Sequence, residues 1–293
     1  MVSAKKSKDE RRKELALARV KKMNKGPDWF VIGCVALVVL LVVGVAGFLF
    51  VQSQADKEQT TVDASQTTAP NTIDDGYTIT KDGAVTAEAY DVETTLNASE
   101  YTSDDVNVTA YVDYACPHCA EFDANNTDQI RGWLEDGTID SYSIHPIVFL
   151  SDYSLVGANA MQCVAEYDPN KLLDVNDYLI GNFDQGLKSK QVLAGIYELG
   201  VPTNDDFAKC VRGGKYNDAV DAATARAQAG PIPESTIDNV QGTPTILING
   251  QKYPGDPSAS VFAEYVNLVA SGQEIPTADS PVIGGDQTEI DGN

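Results

Sequence analysis

The sequence has few of the residues that metal and haem sites require. Only five of its 293 residues are cysteine and only two, His118 and His145, are histidine. A structural zinc site usually adds a second Cys-x-x-Cys pair or two spaced histidines, and the sequence contains neither. A covalent haem site needs histidine directly after the second cysteine of its motif, where this chain has Ala120. We therefore predict no metal and no cofactor.

Basic residues are scarce outside the first part of the chain. Lys and Arg number 21 against 43 Asp and Glu, which gives a formal net charge of −22. Ten of the basic residues lie within residues 1–27, so the chain from Asp28 onward has 11 basic and 40 acidic residues. A body this acidic repels phosphate backbones, which excludes nucleic acid as an expected partner.

One long hydrophobic run follows the basic segment. From Trp29 through Val51 the chain has 23 residues without a charge. Because an α-helix needs roughly 20 apolar residues to cross a bilayer, we predict a transmembrane anchor at residues 29–51. The positive-inside rule places residues 1–28 in the cytoplasm and the remainder outside, as a single-pass protein of the cell membrane. Cys34 lies inside this run and is interpreted as a small buried apolar residue.

A cleaved signal peptide is the alternative to the anchor. Ser53-Gln54-Ala55 weakly resembles a cleavage site, but the apolar run is longer than that of a typical signal peptide. Residues 52–76 are mostly Gln, Thr, Ser, Ala and Asp, which predicts a flexible linker. Residues 272–293 have a similar composition and predict a disordered tail. The expected folded domain therefore spans residues 77–271.

The chain does contain one Cys-x-x-Cys motif, Cys116-Pro117-His118-Cys119. Residues 106–114 before it are rich in β-branched and aromatic residues, which predicts a strand. Residues 117–134 after it have helical spacing, and Pro117 suits the first turn because a missing N–H costs nothing there. Cys116 would then begin a helix, where the dipole and free N–H groups favour the thiolate that attacks disulfides. The pattern favours a redox pair, with a purely structural disulfide as the alternative.

Further strands and helices follow this motif. Residues 141–150 predict a second strand, in which Pro146 indicates an edge position or a bulge. His145 is interpreted as a structural or loop residue rather than a catalytic one. Residues 155–226 have helical spacing, residues 243–248 predict a strand, and residues 258–270 predict a last helix. This order predicts an α/β sheet domain with a helical domain inserted at about residues 152–230.

With Gly242-Thr243-Pro244-Thr245 also present, residues 77–271 resemble the DsbA family of thioredoxin-fold proteins. Pro244 lies 128 residues after Cys116, and the helical insertion that accounts for this length is typical of the family. The resemblance implies a thioredoxin fold with an inserted helical domain, preceded here by a single transmembrane helix. It also implies that Pro244 is cis and that Thr243 lines a substrate-binding groove against Cys116. An ordinary trans loop is the alternative for the Thr-Pro pair.

The resemblance also assigns roles to the catalytic residues. Cys116 attacks or is attacked, and Cys119 resolves the mixed disulfide. His118 is expected to add a donor and a positive charge that stabilise the Cys116 thiolate, and Pro117-His118 favours disulfide donation over reduction. Asp123, on the same helix, is interpreted either as a modulator of proton transfer or as a solvated surface residue.

Two further cysteines, Cys163 and Cys210, lie in the helical region. Four cysteines outside the hydrophobic run allow three pairings, and a Cys116–Cys119 pair leaves these two for a second bridge. Actinobacterial members of the family often carry such an extra structural disulfide, which this chain resembles. Free buried cysteines are the alternative.

The function that the resemblance implies is a membrane-tethered, extracytoplasmic thiol:disulfide oxidoreductase. Its expected partners are reduced secreted or surface proteins, the bilayer, and a quinone-linked membrane re-oxidase similar to DsbB or to the VKOR proteins. No dimerisation region is evident, so a monomer is expected. Two alternatives remain: a reductase or isomerase kept reduced by a membrane electron donor, and a non-catalytic binding or chaperone module on the same fold.

Overall fold

The structure is a computed structural model that describes residues 67–92, 105–232 and 235–276. All of these residues belong to one unit, Thr60–Asn293. The predicted cytoplasmic segment, residues 1–28, and the predicted anchor, residues 29–51, lie outside the described residues. Within the described ranges, no helix is long and apolar enough to cross a membrane.

A six-stranded mixed sheet forms the centre of the fold, in the order β2-β1-β4-β3-β5-β6. The strand before the cysteine motif, β3, pairs in parallel with β4 and antiparallel with β5. All but one residue of β3 is buried, as expected for a strand that has neighbours on both sides. The strands are β1 (Tyr77–Thr80), β2 (Gly83–Ala84), β3 (Asn107–Val112), β4 (Ser141–Pro146), β5 (Thr245–Ile248) and β6 (Gln251–Lys252).

Strand β4 differs from its prediction in length and position. It lies between β1 and β3, so it is an internal strand and not an edge strand. Pro146 is its last residue, opposite Val112, where the ladder ends and a missing N–H is tolerated. The expected strand over residues 141–150 therefore stops four residues early, and residues 147–150 form a loop.

Helix α1 (Pro117–Asp136) carries the cysteine motif and lies against the sheet. Its buried residues include Cys119, Phe122, Ile130 and Leu134, which share one face. The helix ends at Gly137, whose φ of 78° is a left-handed conformation that glycine adopts easily. A last helix, α7 (Ala259–Ala270), packs beside it through Phe262, whose ring centroid lies 5.1 Å from that of Phe122.

Five further helices lie between β4 and β5 in the chain. They are α2 (Asp152–Tyr167), α3 (Leu172–Gly181), α4 (Ser189–Glu198), α5 (Asp205–Gly213) and α6 (Asn217–Ala229), with a 3₁₀ turn at Pro169–Lys171. Helix α2 is the central one, because α3, α4, α5 and α6 all pack against it. The mixed sheet with this helical block confirms the predicted α/β architecture.

Two features of α2 fix the helical block. Cys163 in α2 and Cys210 in α5 form the disulfide that the resemblance implied, with an S–S distance of 2.00 Å. Gly157 of α2 lies against the ring of Tyr114, and a Cβ atom at Gly157 would be only 2.6 Å from that ring. Glycine thus lets the helical block approach the residues immediately before the cysteine motif.

Residues 67–76, which were expected to be part of a flexible linker, pack against the helical block instead. The N–H of Ala69 donates to Gln162 Oε1 at 2.8 Å, and Asn71 Nδ2 donates to the carbonyl of Ala165 at 2.8 Å. The Arg226 guanidinium donates twice to the carboxylate of Asp75, at 2.6 Å each. The folded body therefore begins before Tyr77.

The end of the folded body also differs slightly from its prediction. Ile275, in the expected tail, is buried, and its N–H donates to Gln251 Oε1 at 2.7 Å. Residues 277–293 of that tail lie outside the described residues. The ordered chain thus extends a few residues past α7.

Candidate active site around Cys116

The two cysteines of the motif occupy different positions on α1. Cys116 is the N-cap residue, with an extended backbone, and Pro117 begins the helix as expected. Cys119 lies one turn further in, on the buried face. Both are free thiols, with Cys116 4% and Cys119 1% exposed. Cys116 lines a surface cavity of about 820 Å³ whose lining does not include Cys119, so an incoming sulfur in this cavity reaches Cys116.

The surroundings of Cys116 favour its thiolate. A hydrogen bond from the Cys119 thiol is the main cause that lowers the pKa of Cys116, to about 5. The Thr243 side chain and the backbone N–H groups of Cys119 and His118 lower it further, while burial opposes them. These N–H groups belong to the first turn of α1, which has no internal partners for them. At neutral pH, Cys116 is therefore a nucleophile.

The surroundings of Cys119 have the opposite effect. Burial raises the pKa of Cys119 well above its ordinary value, and the hydrogen bond to Cys116 raises it further. One sulfur is thus an anion and the other a thiol that stabilises it. This is the arrangement required for a nucleophilic cysteine with a resolving partner one turn away.

His118 acts on Cys116 through its backbone. Its side chain is 77% exposed, and Nδ1 lies 3.7 Å from Glu121 Oε2 in the next turn. Its backbone N–H is among the groups that lower the pKa of Cys116. The expected stabilisation of the Cys116 thiolate by a positively charged imidazole stays a prediction.

The Thr243-Pro244 segment faces Cys116, as the resemblance implied. The peptide bond between these residues is cis. Cys116 Sγ lies 3.2 Å from the Thr243 carbonyl oxygen, to which it donates when it is a thiol. Thr245 Oγ1 donates to the carbonyl of Gly242 at 2.8 Å and fixes the turn. A backbone segment is thus presented beside the reactive sulfur, where an extended peptide could pair with it.

Asp113 is a site residue that the sequence did not indicate. It lies three residues before Cys116, is fully buried, and accepts four hydrogen bonds. Oδ1 accepts from the Ala115 N–H and the Ser154 hydroxyl, and Oδ2 accepts from the N–H groups of Phe149 and Leu150. The carboxylate therefore joins the cysteine loop to the loop after β4 and the start of α2. No local pattern could reveal it, because three of the four partners lie 36 to 41 residues away.

Asp123 lies at the contact between α1 and α3. It is partly buried, and Asn176 Nδ2 lies 3.4 Å from its Oδ1. Burial, with the nearby Asp177 carboxylate, raises the pKa of Asp123 to about 7. This position does not match a fully solvated surface residue. Its role in proton transfer stays a prediction.

His145 is packed into the sheet. Its ring centroid lies 4.7 Å from that of Tyr111, and its Nδ1 has no hydrogen-bond partner among the described residues. Burial lowers the pKa of His145 to about 4, so the imidazole is neutral at physiological pH. These contacts support the structural interpretation. Within the described ranges, no three His, Cys, Asp or Glu side chains form a group that could hold a metal ion.

Comparison with known proteins identifies relatives of this arrangement. The family model described as Thioredoxin matches residues 102–267. The structure of MdbA, a thiol-disulfide oxidoreductase from Actinomyces oris, is similar at 22% sequence identity, covering 72% of this chain and 97% of that one, with a TM-score of 0.51. Oxidised DsbA from Mycobacterium tuberculosis matches at 18% identity, covering 71% and 95% of the two chains, with a TM-score of 0.49. No curated protein sequence matches the chain. The likeness to MdbA shows a DsbA-like fold.

Proposed function

Because this chain belongs to the thioredoxin family and has a DsbA-like fold, we propose that it is a thiol:disulfide oxidoreductase that donates disulfides. Its clients are secreted or surface proteins in the reduced state. The domain works outside the cytoplasm, held to the membrane by residues 29–51. The observation that carries this proposal is the opposite behaviour of the two sulfurs of the motif.

This asymmetry supports disulfide donation as the direction of the reaction. Reduction of the Cys116–Cys119 disulfide releases a Cys116 thiolate that receives hydrogen bonds from Cys119, the Thr243 side chain and the first turn of α1. These contacts stabilise the reduced form relative to the disulfide. A disulfide whose reduced form is stabilised is a stronger oxidant, so electrons flow from client to protein.

The exchange proceeds in two steps. A client thiolate attacks Cys116 Sγ, the Cys116–Cys119 bond breaks, and Cys119 leaves with the electron pair and takes up a proton. A second client thiolate then attacks the client sulfur of the mixed disulfide and releases Cys116 as a thiolate. The client has lost two electrons and gained one disulfide, and the protein holds a thiolate and a thiol.

The cycle needs a membrane re-oxidant. The dithiol form passes two electrons and its protons to a quinone-linked membrane protein similar to DsbB or VKOR, which restores the Cys116–Cys119 bond. The Cys163–Cys210 bridge supports an oxidising location, because structural disulfides persist there and are rare in the cytoplasm.

The reduction potential tests the direction. The full chain in detergent is equilibrated in glutathione buffers and alkylated, and the redox state of Cys116 and Cys119 is read by mass spectrometry, with Cys116→Ser as the blank. We expect a potential well above that of thioredoxin, which is about −270 mV. A thioredoxin-like value would contradict disulfide donation and favour the reductase. A pair that does not exchange with glutathione would instead favour the non-catalytic module.

A further inference from the structure

The inserted helical block contacts the residues just before the cysteine motif at three points. The hydroxyl of Ser154, in α2, donates to Asp113 Oδ1 at 2.6 Å. Gly157, one turn further along α2, lies against the ring of Tyr114, where a Cβ atom would be only 2.6 Å from that ring. Asn176 Oδ1, in α3, accepts a hydrogen bond from the Tyr114 hydroxyl at 3.3 Å. Two helices of the insertion therefore hold the segment that leads into the motif.

The hydroxyl of Ser154 is buried and fixed in direction. Its oxygen accepts the Ser151 N–H at 3.2 Å in the first turn of α2, and its hydrogen points to the Asp113 carboxylate. The short distance is typical of a hydroxyl that donates to a carboxylate, about 2.5–2.7 Å. All four donors to the buried carboxylate are neutral, so its charge depends on each of them. The other three are the N–H groups of Ala115, Phe149 and Leu150.

Asp113 closes a tight turn that ends at Cys116. Its side chain accepts the Ala115 N–H at 2.8 Å, and its backbone carbonyl accepts the Cys116 N–H at 3.0 Å. The hydrogen bonds that lower the pKa of Cys116 come from Cys119, from the Thr243 side chain and from the first turn of α1. Because hydrogen bonds weaken steeply when their distance or angle changes, a displaced turn would stabilise the thiolate less.

We propose that Ser154 is a positioning residue for the exchange reaction: through Asp113 it holds the Cys116 sulfur where its anion is stabilised. This inference rests on the proposed function and concerns the control of the same site. Ser154 is fully buried, so a client does not reach it, and it acts on the sulfur through the turn. The helical insertion thereby makes Cys116 a better leaving group in the second step of the exchange, because a more stable thiolate leaves faster.

Titration of Cys116 tests the proposal. The full chain in lipid nanodiscs, with its active pair reduced, is alkylated with iodoacetamide from pH 3 to pH 9, and fragment ions in mass spectrometry distinguish Cys116 from Cys119. We expect Ser154→Ala to lower the acid dissociation constant of Cys116 about tenfold. The equilibrium with glutathione at pH 7 should then shift about tenfold toward the disulfide, which is about 30 mV for a two-electron couple.

Ser141→Ala is the matched control. The Ser141 hydroxyl is also buried and also donates to a side chain, Asn107 Oδ1, but it does so at the start of β3, at the opposite end of the strand from Cys116. Both variants remove one buried hydroxyl and should lower the free energy of unfolding. Only Ser154→Ala should change the acid dissociation constant of Cys116 by more than about twofold.

A double variant shows whether Ser154 acts through Asp113. In Asp113→Asn the charge that Ser154 binds is absent, so the addition of Ser154→Ala should change the acid dissociation constant of Cys116 by less than about twofold. A tenfold change in both backgrounds, or no change in Ser154→Ala alone, would overturn the proposal and leave disulfide donation intact. If Cys116 of the wild type titrates like an ordinary thiol, disulfide donation fails, and the positioning role fails with it.

Discussion

At the scale of single residues, the reactivity of the site arises from where each sulfur lies on α1. Cys116 precedes the first turn of α1 and accepts hydrogen bonds from N–H groups that this turn leaves unpaired. Cys119 lies within the helix and is buried. The two residues have the same chemistry in an unfolded chain. The fold alone lowers the pKa of one and raises that of the other. The negative charge of the reduced site therefore lies on Cys116 because of the position of this residue on α1.

The pH dependence of the reduction potential should reveal this asymmetry. Reduction takes up two protons below the pKa of Cys116, about 5, but only one above it, because Cys119 stays protonated. Each proton taken up changes the equilibrium constant of reduction tenfold per pH unit. As the pH rises, the reduction potential should therefore fall by about 60 mV per pH unit below pH 5 and by about 30 mV per pH unit above it. Redox titrations from pH 4 to pH 8 measure both slopes.

Asp123 provides the control for this titration. Since burial and Asp177 raise the pKa of Asp123 to about 7, coupling of this carboxyl to the cysteines would add a second change of slope near pH 7. The Asp123→Asn variant removes that change and should keep the one near pH 5. A slope of about 60 mV that continues to pH 8 would contradict a Cys116 thiolate.

Asp113 should contribute strongly to stability because both of its oxygens are used. In Asp113→Asn one oxygen becomes an NH₂ group, and whichever oxygen is lost, two donors lose their acceptor. Hydrogen bonds to a charged group are worth about 1.5–3 kcal/mol each, so we expect a loss of roughly 3 kcal/mol in the free energy of unfolding. Urea unfolding at pH 7 measures it. Asp184→Asn, at an exposed carboxylate, should change stability by less than about 0.5 kcal/mol.

At the scale of elements, the chain has two cysteine pairs with opposite energetic roles. Cys163–Cys210 joins α2 to α5 over a sequence separation of 47 and restricts the unfolded chain. The Cys116–Cys119 pair spans a single turn of α1, where little chain entropy is involved and the reduced form is stabilised. Reduction of Cys163–Cys210 should therefore lower the free energy of unfolding, and reduction of Cys116–Cys119 should raise it.

Dithiothreitol should shift the melting temperature in opposite directions in two variants. In Cys116→Ser/Cys119→Ser only the α2–α5 bridge can be reduced, and loop closure predicts a loss of roughly 4 kcal/mol. In Cys163→Ala/Cys210→Ala only the active pair can be reduced, and the melting temperature should rise. Calorimetry of each variant with and without dithiothreitol measures both shifts. A fall in both variants would mean that the active pair is a structural disulfide.

The elements that the sequence predicted well are those with local causes. Pro117 at the start of α1 and the β-branched residues of β3 act within a few residues of themselves. The failures involve distant partners. Residues 67–76 look like a linker by composition, yet Ala69 and Asn71 bind residues of α2 that lie 93 and 94 positions away. Similarly, the apolar pattern of residues 147–150 predicted strand, but Pro146 ends the ladder and the distant carboxylate of Asp113 binds the loop that follows.

At the scale of the whole molecule, charge and hydrophobicity are distributed very unevenly. Ten of the 21 basic residues precede the uncharged run at residues 29–51, and the chain after it is strongly acidic. Basic segments beside a membrane span stay in the cytoplasm, which would place the redox domain outside. A disulfide donor works only in such a compartment, since cytoplasmic thiols are kept reduced. The proposed chemistry therefore requires the proposed orientation.

Alkaline phosphatase fusions should reveal this orientation, because that reporter needs its own disulfides and is active only outside the cytoplasm. We expect activity for a fusion after residue 276 and none for a fusion after residue 28. Replacing the ten basic residues of residues 1–27 by Gln should lower the activity of the first fusion, since the positive-inside bias is then lost. The fusion protein should stay in the membrane fraction at full mass. Release of the fusion protein with loss of residues 1–55 would instead identify the hydrophobic run as a cleaved signal peptide. Activity of the fusion after residue 28 would contradict the proposed orientation, and with it the access of Cys116 to secreted clients.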